Sequence, residues 1–300
     1  MDPLQIQAFQ AIQIQNYMDA ACLALYTYDY SCTIIPEISL IWNSPWSIPK
    51  GLYIVAKYLP FFTLGVLLYY KVFPSDPEAC MAAEKFVDWT INASMCIAEF
   101  IFTIRTWAVW GRSPKIAILL AACSVALWVP GFVFMSLWVK TLKPFPIPTP
   151  ITPSGCFNIP ESPFISPGYV LITTFYTLTL SLMAVKAYQT RQSMQGSDFL
   201  SQAVYRDGIL YYVYLLIFSV VNLATNLTLS PDYANLISKF QQAMCSILAC
   251  RMMLHLRKCQ KQTATAPGSP SELNLHIDSL MFRQTSGMVE ERYNCRETDP

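Results

Sequence analysis

The sequence predicts an all-α membrane protein: a bundle of seven transmembrane helices, N-terminus outside and C-terminus cytosolic. Three observations predict it. First, the 300-residue chain is 54% apolar and only 13% charged, where ordinary soluble domains carry roughly a quarter charged residues. Second, the apolar residues gather in long blocks, and about 20 such residues cross roughly 30 Å of hydrocarbon. Third, Lys and Arg are distributed unequally over alternate connections, the bias that orients membrane helices.

The blocks lie near 12–33, 49–71, 86–108, 115–139, 167–188, 208–229 and 233–256. They are expected to be helices, because an open strand leaves its backbone groups unsatisfied in lipid. The first opens with Gln13, Gln15, Asn16 and Asp19. The N-terminal MDPLQIQAFQ lacks the basic start and compact apolar core of a cleavable signal, so this first span is expected to serve as its own insertion signal. Pro36 marks its exit, since proline suits the first turn of a following helix. Residues 37–43 are then expected to form a short turn on the membrane surface, with Glu37 in the first cytosolic loop and Ile38, Ile41 and Trp42 toward lipid. Trp42 and Trp46 suit the interfacial belt.

The fourth block, KIAILLAACSVALWVPGFVFMSLWV, is the most apolar, and Pro130 is expected to kink it. The connection 140–167 is dense in proline and is expected to be extended. The sixth block places Asn222 and Asn226 on one face, and the seventh ends near His255. The transmembrane domain is thus expected over 1–258. From Cys259 the chain mixes Ser, Thr, Gln and charges without an apolar period, which predicts a disordered cytosolic tail over 259–300.

One set of connections holds Lys50, Arg112, Lys115, Arg191, Arg206, Arg257 and Lys258, with Arg105, Lys186 and Arg251 at the helix ends beside them. The opposite set holds Lys71, Lys85, Lys140 and Lys143 among Asp76, Glu78, Glu84, Glu161 and Asp232. The first set should face the cytosol.

Of ten cysteines, Cys80 and Cys156 are the two expected in outer-side loops. A disulfide between them would pin the long loop over the outer end of the third helix; the alternative is two unpaired thiols. The compartment permits the bond. Cys259, after Arg257-Lys258, is either a palmitoylation site or an inert thiol.

Charges inside spans cost a few kcal/mol each and tend to be paired. Asp29, Lys57, Glu99 and Arg105 all fall in the cytosolic half of three consecutive helices, two acids with two bases. They are expected to form one polar cluster, either architectural or part of a switch.

Tyr28-Asp29, Thr33, Glu37 and Ile41-Trp42 have the spacing YD-x3-T-x3-E-x3-IW. With Lys57-Tyr58-Leu59-Pro60, Ala98-Glu99 and Arg105-Thr106-Trp107-Ala108-Val109-Trp110, this resembles the opening of a seven-span family of unknown function from basidiomycete fungi. The resemblance is clearest over 24–112. Lys57 stands where that family commonly has Arg, which keeps the charge but not a bidentate fork. The resemblance implies architecture and no activity.

Composition excludes several function classes. A net charge of +1 provides no concentrated basic face for nucleic acid. Two histidines, His255 and His276, cannot supply a His-rich zinc site, and no GxSxG, HExxH or phosphate-binding Gly-rich loop occurs. A retinal pigment would need Lys239 as its Schiff base and Asp88 as counter-ion; snorkelling of Lys239, or its pairing with Asp88, is the plainer expectation. The NAS and NLT motifs at Asn92 and Asn226 fall inside spans. The chain is expected to be non-enzymatic, without cofactor, in the plasma membrane or another secretory-pathway membrane. The expected role is receptor-like, sensing a ligand at the outer side and signalling to a cytosolic protein. A small-solute carrier or membrane scaffold is the alternative.

Overall fold

The computed structural model describes residues 3–73, 77–144, 158–160, 166–193, 199–228 and 237–265. Among them are seven α-helices: α1 (Pro3–Glu37), α2 (Ile48–Val72), α3 (Pro77–Val109), α4 (Pro114–Thr141), α5 (Ser166–Ser193), α6 (Phe199–Thr228) and α7 (Ser238–Thr265). A π-helical turn, Ile38–Trp42, follows α1. Two three-residue strands, β1 (Leu142–Pro144) and β2 (Asn158–Pro160), pair antiparallel after α4. Each helix packs on the next in sequence, and α7 closes the ring on α1.

Five helices contain stretches long and apolar enough to cross a membrane: Ile48–Tyr70, Glu78–Val109, Pro114–Thr141, Pro167–Gln189 and Gly208–Thr228. The chain is therefore a multi-pass membrane protein. The helices outside this set are α1 and α7, and both owe that to polar residues. α7 packs against α1, α2, α3, α6 and the π-turn, so Gln241, Gln242 and Ser246 are buried by protein rather than by lipid. In contrast, α4 exposes Ile118, Val125, Val129 and Val133.

Local chemistry sets the helix ends. Ser47 caps α2, accepting from Lys50 N at 3.4 Å, and Pro49 sits in the first turn, where its missing N–H is no loss. At the end of α3, Arg112 N donates to Trp107 O (3.2 Å) and Gly111 N to Ala108 O (3.0 Å). This is a Schellman closure, and it needs a left-handed residue after the cap; Gly111 has φ 63°.

Two expectations need correction. Pro36 lies inside α1, and the chain leaves through the π-turn, with Asn43 N donating to Ile38 O at 3.3 Å. Proline removes the bond to the carbonyl four residues back, and a widened turn follows. The expected short helical turn is present as Ile38–Trp42, but Glu37 and Ile41 are fully buried in protein, while Ile38 and Trp42 are about half exposed. In addition, α7 continues to Thr265, so the residues from Cys259 to Thr265 are helical rather than part of a disordered tail.

Gly111→Ala is expected to cost about 1 kcal/mol, the penalty of a left-handed Cβ. Gly51→Ala, in open space within a helix, should not destabilise. Reversible unfolding in mixed micelles compares the two.

Candidate functional site: a polar interior joining α1, α2 and α7

The D-x3-T-x3-E spacing places Asp29, Thr33 and Glu37 four residues apart, on one face of α1. Thr33 Oγ1 donates to its own helix at Asp29 O (2.6 Å) and accepts from Lys57 Nζ (2.6 Å). Lys57 Nζ also bonds Asp29 Oδ2 at 2.8 Å, with both side chains 2% exposed. The other oxygen of Asp29 takes Arg251 Nε of α7 at 2.6 Å. One carboxylate therefore joins three helices.

Glu37 is compensated differently. Its Oε1 accepts from the Trp42 indole (3.0 Å) and the Tyr58 hydroxyl (2.7 Å), and its Oε2 from the Tyr53 hydroxyl (3.2 Å). Three neutral donors hold this buried carboxylate and latch the π-turn onto α2. Below the latch, Lys50 Nζ donates to Trp42 O and Ser44 O, and Arg257 Nη1 to Leu40 O and Ser44 Oγ. Both cations thus cap the carbonyls that a helix end leaves exposed.

The expected four-residue cluster divides. Asp29 and Lys57 meet; Glu99 and Arg105 do not join them. Glu99 faces α4, where Trp128 Nε1 donates to its Oε2 at 2.8 Å. Arg105 turns to α6 and lies over Gly208, where a Cβ would stand 2.5 Å from its Nη2. Helical rotation is the reason. Lys57 answers the acid on α1, while residues 99 and 105 of α3 project toward other neighbours.

Sequence reasoning missed Arg251 as the second partner of Asp29. It also missed that Lys239 bonds Asp19 (3.2 Å to Oδ1) rather than Asp88. The signal was available: Asp19 and Asp29 on α1 match Lys239 and Arg251 on α7, separated by ten and twelve residues, as two parallel helices require. Asp88 accepts from Trp138 Nε1 at 3.3 Å. Tyr28, the first residue of the motif, is exposed.

Cys80 is disulfide-bonded, and the free cysteines among the described residues are Cys22, Cys32, Cys96, Cys123, Cys245 and Cys250. Cys156 lies outside the described residues. Cys259 belongs to the final turns of α7.

Removing one member of a buried ion pair strands the other charge. Asp29→Asn strands Lys57 and should therefore cost about 3–5 kcal/mol, and the Asp29→Asn/Lys57→Met double variant less than the sum of the singles. A double-mutant cycle in mixed micelles measures this coupling. Tyr58→Phe removes a bond to a carboxylate and should cost about 2 kcal/mol, with exposed Tyr28→Phe as the silent control.

Residues 17–62 match a family of unknown function, DUF6533. The matched stretch runs from just before Asp19 to just after Lys57 and Tyr58, so it contains the interlock of α1, the π-turn and α2. No curated protein matches the chain.

Proposed function

We propose that this protein is a seven-helix receptor of the secretory-pathway or plasma membrane, non-enzymatic, sensing a ligand at its outer side and engaging a cytosolic signalling protein. The observation that carries this reading is the closed ring. α1 and α7, too polar to count as spans by hydropathy, join it by pairing their charges with each other and with α2. Charges shielded in this way let all seven helices cross the bilayer. The basic residues at the π-turn end support a cytosolic position for that end, with the N-terminus outside. The YD-x3-T-x3-E-x3-IW opening supports kinship with the seven-span basidiomycete family.

Two contacts suit signalling across such a ring. At the outer end the Cys80 disulfide braces the start of α3, and Cys156 is its proposed partner. At the cytosolic end Arg105 packs over Gly208, while Tyr212 and Thr106 of the same seam bond each other and Phe102 O. A movement of α6 relative to α3 would uncover the Arg105 guanidinium. A carrier is the second reading. It is favoured by Ser94 Oγ and Gln242 Nε2, which are buried without a hydrogen-bond partner.

Mass spectrometry of the unreduced protein should return a Cys80–Cys156 peptide, and ligand-dependent recruitment of a cytosolic protein should be lost in Gly208→Leu, which displaces Arg105. Solute flux in proteoliposomes without any recruitment would favour the carrier.

A further inference from the structure

Glu99 is a buried acid that meets no base. It is 3% exposed. Its Oε2 accepts from Trp128, and its Oε1 is buried without a hydrogen-bond partner. Asp19 has Lys239, Asp29 has two cations, and Glu37 has three donors. Among the described residues Glu99 has two neutral neighbours, the Trp128 indole and the Tyr176 hydroxyl, and no ion pair. A carboxylate taken out of water with so little compensation is costly, so an added cation would complete the site.

The surroundings choose the cation. Trp128 and Phe175 lie with ring centroids 6.5 Å apart, and Phe175 and Tyr176 6.1 Å apart. Tyr176 lies beside the Glu99 carboxylate while its hydroxyl contacts Cys245 Sγ at 3.3 Å. Aromatic faces around a negative charge attract ammonium groups. A hard metal ion instead takes six or more oxygen ligands, and no group of three or more His, Cys, Asp or Glu suited to a metal occurs among the described residues.

Asp88, Asn92 and Glu99 stand four and seven residues apart, on one stripe of α3, and Asp88 and Glu99 each accept from a tryptophan of α4. The rise from Asp88 to Glu99 is about 16 Å. At the Cys80 end of this stripe Lys239 faces three acids, Asp19, Glu84 and Asp88. These three acids outnumber the lysine that they face, and grouped charges of one sign attract ligands of the other.

We propose that Glu99 anchors a site for an organic ammonium ligand, an amine with an apolar or aromatic body held against Trp128, Phe175 and Tyr176. This names a ligand class for the sensing role above and takes its purpose from that reading, although binding itself does not require signalling.

The test is equilibrium dialysis of the full chain in lipid nanodiscs against tritiated phenethylammonium, with 2-phenylethanol as the neutral competitor. Saturable binding is expected. It should be insensitive to 2-phenylethanol and weakened roughly 30-fold or more by Glu99→Gln, as when a buried charge pair is truncated. No saturable binding, equal competition by the alcohol, or wild-type affinity in Glu99→Gln would overturn the site. Should that variant not fold, labelling of Glu99 in the unaltered protein by a hydrophobic carbodiimide gives a second readout. Protection by the amine supports the site, and unchanged labelling sinks it. Amine binding without partner recruitment would defeat the receptor reading and leave the site standing. Recruitment by a neutral ligand would do the reverse.

Discussion

A carboxylate inside a bundle must be compensated by groups from other helices, and the rest of this structure depends on how that is done at Asp29. Its two oxygens take Lys57 of α2 and Arg251 of α7, while Thr33 supplies Lys57 with a further acceptor one turn along. Because the partners come from different helices, the pairing positions those helices as well as neutralising the charge. Removing Asp29 leaves Lys57 uncompensated in a medium that solvates it poorly. Glu37 shows a second solution, three neutral donors and no cation. Asp19 shows a third, an ion pair with Lys239 of α7.

The same constraint accounts for the two helices that hydropathy passes over. α1 and α7 carry the acids and bases that pair across their shared face, and α7 is enclosed by α1, α2, α3 and α6. Its glutamines and serines therefore face protein, where Asn222 Nδ2 donates to Gln241 Oε1 at 2.6 Å. Lipid-facing α4 is nearly free of such groups. Polarity along the chain thus tracks distance from the centre of the ring rather than membership of it.

The π-turn ties this interior to the end of the bundle at which α1 finishes. Pro36 breaks the α-helical ladder, the wider turn swings Trp42 back onto Glu37, and Lys50 and Arg257 cap the carbonyls released there. Four acceptors that a helix end would leave to water are held by cations of α2 and α7, so the start of α2 and the end of α7 move together. The match to a family over residues 17–62 covers most of this assembly, although its Arg251 and Arg257 lie far outside that segment.

The sequence by itself determined the membrane character, the succession of helices and the one-face alignment of Asp29, Thr33 and Glu37. These follow from local quantities, namely the length of an apolar run, the turn of a helix and the missing N–H of a proline. The burial of Glu37 was not legible, because a loop placement assumed that Pro36 ends the helix and did not allow for a turn folding back. The grouping of Glu99 and Arg105 with Asp29 failed because shared depth does not imply a shared face. Only the tertiary structure decided which cation meets which acid, that Arg251 is the second partner of Asp29, and that Glu99 has an indole and no base. Each of those outcomes is set by rotation of one helix against another, and that rotation is fixed by packing among residues from 28 to 222 positions apart.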